Sequence, residues 1–139
     1  MNMNINYMNS YLPQESIAIM FVALGLAIIG IGYARLRTAD GLRLHRWMMS
    51  SAIILTMIST FFVMFPSLWL YYAEGYSATS GFSILQIIHS AVGGPVTVLS
   101  FMFLLNDLPK PTQKWMQITA ALWFVSLALG AAVYYAMPF

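Results

Sequence analysis

"FSILQIIHSAVGGPVTVLSFMFLL", residues 82–105, contains no Asp, Glu, Lys or Arg. A helix needs roughly 20 apolar residues to cross bilayer hydrocarbon, so this run predicts a membrane span. The rest of the chain is of the same kind. Of its 139 residues, 60% are hydrophobic and 7% charged, and the mean hydropathy is +0.76. Those values exclude a soluble globular domain. Three further stretches, about 15–34, 47–66 and 115–136, are long and apolar enough to span. The connections at 35–46, 67–81 and 106–114 are short, and short links join antiparallel neighbours. The expected fold is all-α: one integral membrane domain over residues 1–139, an up-down four-helix bundle. Alternating segments of about ten residues, the mark of a membrane β-barrel, are absent.

Charge orients the bundle. All six basic residues fall in two connections: Arg35, Arg37, Arg43 and Arg46 in the first, Lys110 and Lys114 in the third. The middle connection carries Glu74 and neither Lys nor Arg. The positive-inside rule then places both termini outside the cytoplasm (N-out, C-out) of a multi-pass protein of the cell membrane. Trp47 and Trp115 mark the inner boundary, and Trp69, Tyr71, Tyr72, Tyr134 and Tyr135 the outer one. The net charge of +2 is too small for a nucleic-acid footprint. With no cysteine, disulfides, thiolate metal sites and thiol catalysis are excluded. Residues 1–14 form a polar outer leader without the basic segment and cleavage site of a signal peptide, so the first helix reads as a signal-anchor. Met1, Met3 and Met8 in that leader read either as ligand-free or as a thioether copper(I) cluster.

Small and polar residues are phased along the helices. In the third, Gln86, His89, Ser90, Gly93, Gly94 and Thr97 recur at steps of three and four and share a face. Ser90 and Gly94 form a small-xxx-small step that admits another helix, and Gly93 belongs to the same packing surface. Pro95 removes a helical hydrogen bond and bends the helix just beyond His89. Comparable stripes occur in the second helix (Ala52, Thr56, Ser59, Thr60), the fourth (Thr119, Ser126, Gly130) and the first (Ala23, Ala27, Gly30, Ala34). The expectation is that these faces point inward.

His45 and His89 are the only histidines. On an up-down bundle His45 stands at the inner boundary and His89 about 10 Å in from the outer one, at roughly 1.5 Å per residue. Across about 30 Å of hydrocarbon the two rings are then roughly 20 Å apart, too far to share one iron or ion. A cofactor would need two sites, and the complementary soft ligands are Met64, at the depth of His89, and Met116, at that of His45. His/Met ligation suits a haem b. The competing readings of His89 are a neutral imidazole hydrogen-bonded to Ser59, Thr60 or Gln86, a contact to a partner subunit, and proton handling. That of His45 is a solvated or lipid-facing ring beside four arginines suited to anionic lipid. No nucleophile elbow, phosphate loop or carboxylate pair occurs. The absence of an intramembrane carboxylate argues against a pump or ion-coupled transporter.

The segments "LHRWMMSSAIILTMIS", "ILQIIHSAVGGPVTVLSFMFLL" and "KWMQITAALWFVSLALGAAVYY", within residues 42–136, resemble a family of small four-helix membrane proteins of poorly defined function. That family includes CtaM, an assembly factor of haem-copper cytochrome oxidases. The shared features are a histidine opening the second helix before a methionine, here His45 and Met48, and one early in the third, here His89. The family pattern has two further histidines where this chain has "FFVMFPS" and "PTQKWMQ". The resemblance implies a non-catalytic assembly factor or accessory subunit, without a cofactor or metal of its own, that docks on the membrane subunits of a respiratory haem-copper oxidase. The alternatives are a structural subunit of another metal-dependent membrane complex, such as a copper membrane monooxygenase, and a small b-type haem electron carrier.

Overall fold

The computed structural model describes residues 13–73, 75, 81–105 and 113–136. The methionines of the leader and the connection carrying Lys110 lie outside them. All the regular structure there is helical: α1 (Pro13–Arg35), α2 (Ala39–Ser59), a π-helical turn (Thr60–Met64), α3 (Phe65–Ala73), α4 (Gly81–Leu105) and α5 (Gln113–Tyr135). Four segments are long and apolar enough to cross a membrane: Ser16–Arg35, Ala39–Met64, Gly81–Leu105 and Gln113–Tyr135. These mark a multi-pass membrane protein.

The distribution of side chains agrees. Buried positions among the described residues are small or polar: Ser16, Ala23, Ala27, Ala52, Ser59, Ser83, Ser100, Thr119 and Ser126, with Val96, Trp123 and Val133 the larger ones. Large apolar groups such as Phe21, Ile28, Phe62, Ile87 and Val125 lie exposed. Water would punish that arrangement, whereas lipid is as apolar as leucine and small residues let helix backbones approach.

The chain packs as two compact units, residues 1–66 and 67–139. In the first, α1 packs on α2. The second helix begins at Ala39, not near Trp47 as hydropathy suggests, because Thr38 caps it. Thr38 is extended (φ −92°, ψ 156°), and its Oγ1 accepts from the Gly41 N–H at 3.0 Å. Only Leu36–Thr38 therefore separate the two helices, with Arg37 in the left-handed region (φ 53°). At its other end the span closes in a π-helical turn near the expected Pro66. The Phe65 N–H reaches back five residues to the Thr60 carbonyl, and the π turn carries the chain on into α3. The Thr56 and Thr60 hydroxyls each donate to the carbonyl four residues earlier, at 2.8 Å, back-bonds that compete with the helical ladder. Pro66, without an N–H, then sits in the first turn of α3, where its missing donor costs least.

In the second unit α4 packs on α5. Pro95 lies inside α4, which runs uninterrupted through it.

Candidate functional site

Two contacts fix the register of the first hairpin. The Ser16 and Ser59 hydroxyls meet at 2.9 Å, buried. His45 Nδ1 lies 2.8 Å from the Gly30 carbonyl. Fourteen residues forward along α1 correspond to fourteen backward along α2, so the helices run antiparallel. Midway, Ala23 and Ala52, both buried, stand level. Gly30 packs tightly on α2: a Cβ there would sit 3.1 Å from Met48 Cβ and 3.4 Å from Met49 Sδ, so the neighbours would have to give by a few tenths of an ångström.

The carbonyl carries no proton, so His45 Nδ1–H is the donor and Gly30 the acceptor. In the neutral ring this leaves the lone pair on Nε2. A backbone carbonyl on one nitrogen is the usual means of holding a histidine so that the other can ligate. His45 is thus a half-buried ring with a set tautomer, neither freely solvated nor turned wholly to lipid. Among the described residues, no three His, Asp or Glu side chains are grouped to hold a metal.

In the second unit, a Cβ on Gly93 would lie 2.9 Å from Ser126 Oγ, so α4 and α5 come close at this point. Val96 and Ser100 on α4 and Thr119 and Trp123 on α5 are all buried. One turn before Gly93 on the same helix stands His89. Its Nδ1 is buried and has no hydrogen-bond partner among the described residues, and the same holds for Gln86 Oε1 and Thr119 Oγ1. Of the partners expected for His89, Ser59 meets Ser16 and Thr60 donates within its own helix.

The proposed packing residues separate. Gly93 faces α5, whereas Ser90, Gly94 and Pro95 are exposed, and a Cβ on Gly94 would meet nothing within 4 Å. Met64 is half-buried in the π turn of the first unit, and Met116 is 45% exposed on α5 of the second. The sequence reading missed Ser16, which lies at the polar start of α1 where hydropathy sees only a boundary. Its signal was the spacing of seven between Ser16, Ala23 and Gly30, mirrored by His45, Ala52 and Ser59. Comparison with protein families, curated proteins and solved structures finds no match to the chain.

Proposed function

We propose that this chain is a non-catalytic membrane subunit that docks its α4 face on a partner helix of a larger redox complex. The observation that carries the reading is the state of α4. Its exposed Ser90–Gly94 step lies beside the buried, unpartnered polar atoms of Gln86 and His89. In hydrocarbon an unsatisfied polar group is costly, and a small-residue step is where another helix comes close enough to relieve it. The choice of a haem-copper oxidase, as assembly factor or accessory subunit, rests on the resemblance of residues 42–136 to the assembly-factor family. In this reading the four spans form one up-down bundle in the cell membrane, with the arginine-bearing turn on the cytoplasmic side.

Copurification in mild detergent tests it. Oxidase subunits should accompany the wild-type chain and be lost from Ser90→Leu and Gly94→Leu, whose own helices still form. Subunits of a copper monooxygenase in their place would keep docking and replace the partner. A bare chain in both cases would end the proposal.

A second reading, a small b-type cytochrome, is favoured by His45 alone, whose Gly30 contact presents Nε2 as an axial ligand would be presented. A bound haem would supply the redox chemistry. A Soret band abolished by His45→Ala, and kept by Ser90→Leu, would select this reading over docking.

A further inference from the structure

The α2 residues Ala39, Leu42, Arg43, Arg46 and Trp47 line an open cleft of about 480 Å³. They are spaced three and four apart, on a face distinct from the one that turns Gly41, His45 and Ala52 toward α1. The cleft joins two guanidiniums and an indole. Arg43 is partly neutralised by Asp40, at 3.1 Å, with both side chains largely exposed. Arg46 has no ion-pair partner among the described residues and is the uncompensated charge of the cleft. Below it the same helix face continues as Trp47, Ile54, Ile58 and Phe61, every one exposed.

The geometry points to a binding site for an anionic phospholipid. Its phosphate takes N–H donors from Arg46 and Arg43, and its acyl chain lies along the lane from Trp47 to Phe61. Each half of the surface answers one half of the ligand. Arginine suits a phosphate's oxygens as a forked donor, and tryptophan belongs at the headgroup level. The apolar lane is what separates a lipid from a free phosphate ion, which would use the cleft alone. Asp40 works against the site, because its carboxylate competes with the phosphate for Arg43.

Native mass spectrometry of the full chain, released from vesicles of phosphatidylglycerol and phosphatidylcholine in equal amounts, reads the site directly. Phosphatidylglycerol should be retained preferentially. Arg46→Gln should cut that preference about fivefold, the effect of one basic residue at a membrane surface, and Arg46→Lys should keep most of it. Asp40→Asn should raise it, by freeing Arg43. Ile54→Gln with Ile58→Gln should lower lipid retention without touching the cations. Equal retention of the two lipids, an unchanged preference in Arg43→Gln/Arg46→Gln, or displacement of the lipid by an equal concentration of inorganic phosphate would each overturn the assignment.

Discussion

Ser16 and Ser59 meet hydroxyl to hydroxyl at 2.9 Å, buried between α1 and α2 and 43 residues apart in sequence. They pin the hairpin at the end opposite its turn. Interhelical hydrogen bonds of this kind contribute about 0.6 kcal/mol on average and up to about 1.7. Ser16→Ala and Ser59→Ala should each destabilise the protein by that order. The double variant should cost no more than the larger single, since it leaves no hydroxyl orphaned. Unfolding in bicelles gives the cycle. Strict additivity would mean that the pair does not act as a unit.

Gly30 and His45 pin the turn end. Gly30→Ala brings a methyl to 3.1 Å from Met48 Cβ, tighter than most packed side chains sit. Overpacking should cost about 1–3 kcal/mol and lengthen the Nδ1···O contact. Nitrogen NMR should find the neutral His45 ring protonated at Nδ1 in the wild-type chain and in a mixture of tautomers in Gly30→Ala.

Adjacent glycines in α4 should behave oppositely. A Cβ on Gly93 would crowd Ser126 Oγ at 2.9 Å, and one on Gly94 meets open space. Gly93→Ala should destabilise by about 1 kcal/mol or more. Gly94→Ala should leave the isolated chain unchanged or up to about 1 kcal/mol more stable, through better helix propensity. Should Gly94→Ala nonetheless weaken copurification with a partner, the exposed step is a docking surface.

Arg37 adopts φ 53° in the three-residue turn between α1 and α2. A left-handed L-residue costs roughly 1–2 kcal/mol, which glycine does not incur. Arg37→Gly should therefore stabilise the hairpin, by less than that because glycine gives a freer unfolded chain. Thermal unfolding in detergent should show a small rise in midpoint, and a fall would place Arg37 in a stabilising contact.

The chain has no cysteine, so single introduced cysteines report topology cleanly. With the arginines inside, Arg37→Cys should be shielded from an impermeant maleimide in intact cells, whereas Ala136→Cys should be labelled. Reversed labelling would invert the bundle in the membrane.

Hydropathy over windows of about 20 residues is a local quantity, and it located all four spans to within a few residues wherever lipid was the only neighbour in question. It missed the start of α2, where backbone hydrogen bonds decide: the Thr38 cap starts that helix at Ala39.

The sequence alone thus determined that this is a helical membrane protein, and which stripes are small and polar. Which of those groups meet was decided only by tertiary structure, because a partner across a hairpin depends on the register between two helices. Ser16 belongs with Ser59, His45 with Gly30 and Gly93 with Ser126, pairings that the hydropathy of each helix taken singly does not specify.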